Sequence, residues 1–398
     1  MNLTIHPGLL SGTVHAIPSK SQAHRLLICA AFADRETTLI CHQTNQDIEA
    51  TAACLRALGA VITRTETGYL IEPVKHLPES ATLDCNESGS TLRFMLPVAA
   101  ALGITTTFLL KGRLPSRPMS PLWEELTRMG CTLSRPAPNK ILCQGKLHCG
   151  EYIINGSVSS QFVTGLLFAM ALIGGENKLT VTGRQESKPY IEMTRRALSL
   201  FGVSTENTTV SSSLPFHSPG TLLVEGDWSN GAFFLAAKTL GSCVTVDGLD
   251  PDSSQGDKVV ADILSGSGET MTVDAADIPD LVPILAVVAG AQHGGVFHNI
   301  GRLRLKESDR VASVSAMLEA LGAKCQSNET TLTVFPGIYH GCTIDAVNDH
   351  RIAMAAAIAA TVATGDVTIL GAECVNKSYP GFWEEFRRLG GQHEQYIR

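Results

Sequence analysis

The stretch 54-CLRALGAVITRTETGYLIEP-73 contains the pattern that decides the fold. Its first part is typical of an amphipathic helix that ends at Gly59, where glycine adopts positive φ at no steric cost. Its second part alternates polar and apolar residues around a Thr-Gly turn, as paired antiparallel strands do. The stretch therefore predicts a helix followed by a β-hairpin.

The same pattern recurs along the chain and predicts a repeat architecture. A single helix that ends in Leu-Gly is common, but here three of the four intervals between copies are roughly 70 residues. The longer interval leaves room for a weaker copy within residues 261–273, which makes about six units. Alternating helices and strands in such units predict an α/β (α+β) fold with helices packed on sheets. The glycines that end the five clear copies are Gly59, Gly130, Gly202, Gly322 and Gly390.

Length, composition and charge narrow the class of protein. A chain of 398 residues with 44% hydrophobic and 17% charged residues predicts two compact domains. The net charge of −7 argues against binding to nucleic acid or to an anionic membrane surface. The N-terminal sequence does not resemble a signal peptide, and the apolar runs are shorter than the ~20 residues of a bilayer span. We therefore expect a cytoplasmic protein.

The cysteines and nucleotide motifs argue against several chemistries. The eleven cysteines are scattered, without a Cys-x-x-Cys pair or zinc spacing, which favours a reducing compartment and predicts no metal site. Neither a P-loop nor a strand-linked G-x-G-x-x-G is present. No cofactor is expected.

The segment 18-PSKSQAHRLL-27 places cations at the start of a predicted helix. Ser19 is the expected N-cap, which puts Lys20 and Ser21 in the first turn and Arg25 one turn later. A cation at a helix N-terminus is unfavourable by roughly 0.3 to 1 kcal/mol. An anionic ligand such as phosphate resolves this conflict, although two solvated cations would also explain the segment.

Cations recur near five further predicted helix starts. Arg93 follows Gly89, Arg117 precedes a predicted cap at Ser120-Pro121, and Ser308 is the predicted cap between Lys306 and Arg310. Two further segments supply Arg351, within 348-NDHR-351, and Lys377, before 378-SYPGF-382. Uncharged donors stand at two other starts: Ser159, Ser160 and Gln161, and then Ser187. Each is ordinary alone, but together they predict a substrate with phosphate, carboxylate and hydroxyl groups.

Two carboxylates are candidates for proton transfer. Asp280 lies directly before the apolar run 281-LVPILAVVAGA-291, where an N-cap role is the main alternative. Glu307 lies between Lys306 and Arg310, where a simple ion pair would also explain it. Either could act as a base, and their spacing does not assign roles.

Seven segments together resemble one family. They are PSKSQAHR, ESGSTLR, SVSSQF, ESKPYIEMT, LRLKESDR, NDHR and NKSYPGF, and they occur in this order over nearly the whole chain. In this respect the chain resembles the 5-enolpyruvylshikimate-3-phosphate synthase family of enolpyruvyl transferases. The resemblance implies two domains, each of three βαβαββ repeats in an inside-out α/β barrel. It further implies that residues 1–19 and 227–398 form one domain and 20–226 the other, with the active site in the cleft between them.

The resemblance also implies a reaction. The enolpyruvyl group of phosphoenolpyruvate moves to the 5-hydroxyl of shikimate 3-phosphate and phosphate is released, through a tetrahedral intermediate, in the shikimate pathway of aromatic amino acid biosynthesis. Asp280, Glu307 and Lys20 are the implied catalytic residues. The implied shikimate 3-phosphate ligands are Lys20, Ser21, Arg25, Ser159, Ser160, Gln161, Ser187, Asp280 and Lys306. The implied phosphoenolpyruvate ligands are Lys20, Gly89, Arg117, Gln161, Arg310, Arg351 and Lys377.

Two positions depart from the family pattern. The common N-A-G-T stretch is replaced by 87-ESGS-90, which keeps Gly89 but changes its neighbours. Arg302 stands where the family often has Asn, so that the contact of that Asn is not expected here.

Three other functions are less consistent with the sequence. A UDP-N-acetylglucosamine enolpyruvyl transferase would share the fold, but its loop carries a reactive Cys and 111-KGRLPSRPM-119 has none. An RNA-terminal phosphate cyclase would need a basic surface, which a net charge of −7 does not favour. A non-catalytic anion-binding protein would have no use for Asp280 and Glu307. We expect a monomer that binds two small-molecule substrates.

Overall fold

The chain forms two compact units. The computed structural model describes residues 1–206, 209–212, 215–266 and 268–396. The first unit comprises Met1–Ile17 and Glu225–Arg398, and the second unit comprises Pro18–Val224. Each unit has its own hydrophobic core.

Helices contribute many of the buried residues of both units. They are α1 Lys20–Ala31, α2 Gln46–Ala57, α3 Gly89–Leu102, α4 Leu122–Arg128, α5 Ser160–Ile173, α6 Lys188–Leu200, α7 Trp228–Thr239, α8 Val260–Ser265, α9 Val282–Ala291, α10 Arg310–Leu321, α11 His350–Ala360 and α12 Phe382–Arg388. Short 3-10 helices span Leu114–Ser116, Gly256–Val259, Gly301–Leu305 and Ala372–Lys377.

The strands are short and alternate with the helices. They are β1 Asn2–His6, β2 Ser11–His15, β3 Thr37–Ile40, β4 Val61–Arg64, β5 Gly68–Glu72, β6 Ser80–Asp84, β7 Thr105–Leu109, β8 Cys131–Ala137, β9 Lys140–Gly145, β10 Glu151–Asn155, β11 Gly175–Thr182, β12 Thr209–Ser212, β13 Thr221–Leu223, β14 Cys243–Asp247, β15 Met271–Asp274, β16 Gly295–His298, β17 Lys324–Ser327, β18 Thr331–Phe335, β19 Cys342–Asp345, β20 Val367–Leu370 and β21 Gln392–Gln395.

Across the described ranges the strands form six small sheets, three in each unit. In the sheet β6-β7-β9-β8, β6 runs parallel to β7 with α3 between them, and β7 and β8 pair antiparallel with β9. The sheet β15-β16-β18-β17 repeats this pattern with α9 as its crossover helix. A parallel pair needs such a crossover, whereas an antiparallel pair needs only a hairpin. The α/β architecture expected from the repeats is confirmed.

The helices with the most apolar sequences lie innermost. Along α5, α9 and α11 almost every residue is buried, whereas exposed and buried residues alternate along strands such as β10. A helix that is apolar on all faces must be covered on all faces. Each unit is therefore built with helices inside and sheets outside.

The glycines that define the repeats end their helices as the sequence predicts. All five have positive φ, between 78° and 114°, a range that favours glycine over any residue with a Cβ. The predicted hairpin after Gly59 is also present, because β4 and β5 pair antiparallel from Val61 opposite Glu72. The weaker copy includes the end of α8 and most of β15, and its residue 267 lies outside the described residues.

In the parts of the chain that the structure describes, no helix combines the length and the apolar character needed to cross a bilayer.

Candidate active site

The start of α1 carries the first cation of the second unit. Ser19 caps the helix, since its side chain accepts a hydrogen bond from the backbone N–H of Gln22. Lys20 follows as the first helical residue, and its Nζ donates to Asp47 Oδ2 over 2.9 Å. Both side chains are mostly buried. The unfavourable position of Lys20 is thus offset by a carboxylate from the first turn of α2.

Arg25 lies one turn further along α1 and is almost fully buried. Its guanidinium donates to Thr194 Oγ1 at 2.9 Å, to the carbonyl of Tyr190 at 2.8 Å and to the carbonyl of Ser21 at 2.6 Å. Burial lowers the pKa of Arg25 to about 10, which still leaves it charged at neutral pH. Arg25 therefore braces α1 against α6.

Gly89, at the start of α3, lies against two arginines. A Cβ on Gly89 would lie 2.5 Å from Arg117 Nη1 and 3.1 Å from Arg93 Nη1. Arg93 donates to Gln161 Oε1 at 2.7 Å and to the carbonyl of Pro118 at 3.0 Å. Because glycine has no side chain, the backbone here is open to close approach by a ligand. The structure thus groups three predicted residues, Gly89, Arg117 and Gln161, around Arg93.

The starts of α5 and α6 present the predicted hydroxyl groups. Ser159 caps α5 by accepting from the backbone N–H of Gln161, whose side-chain amide donates to Ser90 Oγ at 2.9 Å. Ser160 is buried at the first position of the same helix. Ser187 precedes α6 with φ of 52°, a left-handed conformation that is rare for serine. Strain of this kind often marks a functional position.

In the first unit, Asp280 lies within a group of three cations. Its Oδ1 accepts from Arg310 Nη1 at 2.6 Å and from Lys306 Nζ at 3.2 Å. Arg351 Nη2 lies 3.5 Å from Asp280 Oδ2, and Arg351 Nη1 donates to the Asp280 carbonyl at 3.0 Å. The Asp280 side chain keeps 19% of its surface exposed, whereas that of Arg310 keeps 1%.

The cations determine the protonation state of Asp280. Burial alone would raise its pKa, but Arg351, Lys306 and Arg310 together hold the pKa well below its usual value. Asp280 is therefore ionised at neutral pH and able to accept a proton. Burial and the charge of Asp280 raise the pKa of the buried Asp257 to about 6, although Arg351 opposes this rise.

Arg310 is held by two further carboxylates. Its Nε donates to Asp349 Oδ2 at 2.8 Å, and its Nη2 donates to Glu307 Oε2 at 2.6 Å. Asp349 is fully buried, caps α11 through the N–H of Arg351, and accepts from Ser308 Oγ at 2.9 Å. Burial lowers the pKa of a cation, yet these carboxylates raise that of Arg310 well above its usual value.

Lys306 is the most easily titrated cation of the group. Burial lowers its pKa to about 8, Asp280 opposes this change, and the nearby charges of Arg310 and Arg302 add to it. The departure at position 302 therefore places an additional positive charge near Lys306. Lys377 lies close to the start of α11, and its Nζ donates to the carbonyl of Asn348 over 2.8 Å.

Comparison with known proteins identifies the family. The sequence profile of the EPSP synthase (3-phosphoshikimate 1-carboxyvinyltransferase) family matches residues 5–277 and 267–386. The chain belongs to the EPSP synthase family. Its relatives include proteins named 3-phosphoshikimate 1-carboxyvinyltransferase from Clostridium beijerinckii, 37% identical over 99% of each chain, and from Clostridioides difficile, 33% identical over 99% of each chain. The family expected from the seven motifs is confirmed.

Solved structures show the fold. EPSP synthase from Acinetobacter baumannii matches with a TM-score of 0.79 at 22% identity, over 99% of this chain and 100% of that one. The enolpyruvyl transferase NikO from Streptomyces tendae matches with a TM-score of 0.76 at 17% identity, over 99% of this chain and 98% of that one. The two-domain enolpyruvyl transferase fold expected from the resemblance is confirmed.

Two expectations about helix caps were wrong, and one alternative is excluded. Asp309 rather than Ser308 caps α10, because its carboxylate accepts from two backbone N–H groups while the Ser308 hydroxyl donates to Asp349. Ser120 does not cap α4, which begins at Leu122 with Pro121 at the N-cap position. The alternative of Asp280 as an N-cap is also excluded, since Leu281 occupies that position before α9.

At two of the six predicted helix starts, the named cation does not lie at the start of an α-helix. Arg117 follows the 3-10 helix Leu114–Ser116, and Lys377 ends the 3-10 helix Ala372–Lys377, five residues before α12. A cation at the end of a helix is favoured by the dipole. The dipole argument therefore applies to the other helix starts and not to these two residues.

Sequence reasoning did not include Asp47, Arg93 and Asp349 among the site residues. Each contacts a predicted ligand residue directly: Lys20, Gln161 and Arg310, respectively. Asn45 before Asp47 and Asp349 before a helical run are recognisable as caps. No sequence pattern shows that Asp47 and Asp349 also pair with cations distant in the sequence.

Among the described residues, no group of three or more His, Cys, Asp or Glu side chains is arranged to hold a metal ion. The polar groups around Lys20, Gly89 and Asp280 are cations, hydroxyls, amides and carboxylates paired with cations. Such groups bind oxyanions and move protons.

Proposed function

We propose that this chain transfers the enolpyruvyl group of phosphoenolpyruvate to the 5-hydroxyl of shikimate 3-phosphate and releases phosphate, a step of aromatic amino acid biosynthesis. The observation that carries the proposal is the cluster in which Arg310, Arg351 and Lys306 keep Asp280 ionised. It provides a proton acceptor beside groups that bind phosphate and carboxylate. The names of the relatives support shikimate 3-phosphate, rather than UDP-N-acetylglucosamine, as the substrate that receives the enolpyruvyl group.

The reaction takes place by addition and elimination. Asp280 accepts the proton of the 5-hydroxyl as the hydroxyl oxygen bonds to C2 of phosphoenolpyruvate, and Glu307 in its protonated form gives a proton to the methylene carbon, which becomes a methyl group. The C–O bond to phosphate then breaks, one proton returns from the methyl group to Glu307 and restores the alkene, and the proton held by Asp280 leaves with the phosphate. The hydrogen bond that Arg310 donates to Glu307 fixes the orientation of its carboxyl group.

Binding of the substrates changes the basicity of Asp280. In the free enzyme its three cationic neighbours make it a weak base. When the anionic groups of the substrates pair with Lys306, Arg310 and Arg351, less positive charge acts on Asp280 and its pKa rises. The base is thus strengthened when the hydroxyl to be deprotonated is bound.

The family resemblance assigns the substrate ligands. Shikimate 3-phosphate is bound by hydroxyl, amide and cationic groups that surround its phosphate and ring: Lys20, Ser21, Arg25, Ser159, Ser160, Gln161, Ser187, Asp280 and Lys306. Phosphoenolpyruvate is bound by cations and by the open backbone of one glycine: Lys20, Gly89, Arg117, Gln161, Arg310, Arg351 and Lys377. The cations also stabilise the charge that develops in the tetrahedral intermediate.

A coupled assay of phosphate release tests the proposal. The purified protein is incubated with phosphoenolpyruvate and either shikimate 3-phosphate or UDP-N-acetylglucosamine. We expect release with shikimate 3-phosphate alone, and loss of that release when Asp280 is replaced by Asn. Release only with the sugar nucleotide would overturn the proposal.

A further inference from the structure

A buried chain of hydrogen bonds joins three helices of the second unit. His24 Nδ1 on α1 lies 2.8 Å from Thr51 Oγ1 on α2, which lies 2.7 Å from Thr91 Oγ1 on α3. The Thr91 hydroxyl donates to Ser88 Oγ over 2.8 Å. All four side chains are buried, and that of His24 is 1% exposed. We call these four residues the relay.

The relay has one direction, because each hydroxyl has a single proton. The Thr91 proton is used towards Ser88 or towards the Asp47 carbonyl at 3.4 Å, so in either case Thr51 donates to Thr91. The Thr51 proton is then used as well, so His24 Nδ1 carries a proton and donates to Thr51. A neutral His24 therefore has a bare Nε2.

The surroundings of the ring agree with this tautomer. Within the described part of the chain, Nε2 of His24 has no hydrogen-bond partner. Leaving a buried nitrogen without a partner costs less free energy when the nitrogen is bare than when it carries a proton. Burial and then the charges of Lys20 and Arg25 hold the pKa of His24 well below its usual value, so the ring is neutral. Phe94 packs edge-on against the ring, with 6.2 Å between ring centres.

The relay ends beside residues assigned to phosphoenolpyruvate. Ser88 caps α3, and Gly89 is the first residue of that helix. The Thr91 hydroxyl lies near the carbonyl of Asp47, whose carboxylate holds Lys20. The relay thus joins α1 and α2 to the start of α3 and lies beside Asp47, whose carboxylate holds Lys20.

We propose that His24 is a positioning residue for phosphoenolpyruvate, which acts through Thr51 and Thr91 to fix the start of α3 and the pair of Lys20 with Asp47. This inference rests on the proposed function, since it assigns Gly89 and Lys20 to that substrate. If His24 only filled the core, its replacement would change stability and leave substrate affinity unchanged.

Two substitutions at position 24 separate these roles. His24→Phe keeps a ring of similar size and removes the donor to Thr51, whereas His24→Asn keeps an N–H close to the position of Nδ1. We expect His24→Phe to raise KM for phosphoenolpyruvate about tenfold, as a loss of roughly 1.4 kcal/mol of binding free energy would do, with little change in kcat. His24→Asn should restore the KM of the unmodified protein. An unchanged KM in His24→Phe would overturn the proposal.

A double-mutant cycle tests the route. Thr91→Val removes the hydroxyl that receives the relay, so His24→Phe should raise KM no further when Thr91 is already Val. Independent, multiplicative effects of the two substitutions would show that His24 does not act through Thr91. Ile28→Ala, a buried apolar residue one turn further along α1, serves as the control and should lower the melting temperature without changing KM.

Nitrogen-15 NMR of the full-length protein, labelled at histidine, provides a readout that is independent of activity. We expect the His24 ring to be protonated at Nδ1 and bare at Nε2 from pH 6 to 8. A proton on Nε2 would overturn the relay. If phosphate release fails with shikimate 3-phosphate while Nδ1 is protonated, the proposed function is wrong and the direction of the relay still stands.

Discussion

At the scale of single residues, Asp280 combines two properties that seldom occur together. It is strongly paired, which keeps it ionised, and it retains enough exposure for a substrate to reach it. A carboxylate that served stability alone would be enclosed like Asp349, which is fully buried. The difference between these two aspartates of one cluster supports assigning proton transfer to Asp280.

Replacing Asp280 by Asn should lower kcat by about 10² to 10⁴, the usual contribution of a general base. KM for either substrate should not rise. Once the carboxylate of Asp280 is gone, its negative charge no longer competes with the substrate anions for Lys306, Arg310 and Arg351. Steady-state kinetics in both substrates measure this. Asp262→Asn, an exposed carboxylate on α8 of the same unit, is the matched control. A variant with unchanged kcat would remove Asp280 as the base.

Lys306 should give the reaction an alkaline limit. Because burial lowers its pKa to about 8, the free enzyme loses this phosphate-binding charge near that pH, and kcat/KM for shikimate 3-phosphate should fall above it. Lys306→Arg keeps its charge throughout this range and should move the fall to higher pH. Profiles from pH 6 to 10 measure this, and an identical limit in both proteins would assign it to another group.

The same shift predicts how Lys306 affects stability. Its pKa lies below the ordinary value of 10.5, so between pH 8 and 10.5 the unfolded chain holds a proton that the folded chain has lost. Stability rises with pH wherever the unfolded state binds more protons. Denaturant midpoints should therefore rise more across this window in the native sequence than in Lys306→Met, and equal slopes would contradict the lowered pKa.

At the scale of helices and strands, the sequence predicts what local patterns control. The ends of the repeat helices could be predicted because Gly59 and its counterparts adopt a conformation that few other residues tolerate. The cap of α10 was predicted one residue early because Ser308 and Asp309 both qualify, and the choice depends on Asp349, about 40 residues later in the chain. The contacts of Arg93 with Gln161 and of Asp47 with Lys20 could not be predicted for the same reason, since these partners are distant in sequence.

The start of α11 should contribute more to stability than that of α10, although an aspartate caps both. Asp349 is buried and pairs with Arg310, so Asp349→Ala leaves a buried cation without one of its carboxylates and should cost about 3 to 5 kcal/mol. Asp309→Ala, at a half-buried cap, should cost only about 1 kcal/mol. Chemical denaturation measures both, and equal losses would show that the ion pair adds nothing beyond the cap.

At the scale of the whole molecule, the two units have separate cores. The buried apolar residues of the second unit lie within 23–224, and those of the first unit within 3–17 and 228–389. The two pieces of the first unit are joined directly, since the N–H of Asp227 donates to the carbonyl of Ile17 over 2.8 Å. Each unit is of the size at which a single core is stable.

The second unit should therefore fold without the first. A protein made of residues 18–224 should unfold cooperatively, and calorimetric titration should show that it binds shikimate 3-phosphate, because seven of the nine proposed ligand residues lie within it. It should release no phosphate, because Asp280 and Glu307 belong to the first unit. The same fragment with Ser160→Ala and Gln161→Ala is the control and should bind more weakly. If the fragment binds shikimate 3-phosphate equally well with and without these two substitutions, the start of α5 does not recognise the substrate, and Ser160 and Gln161 are removed from the site.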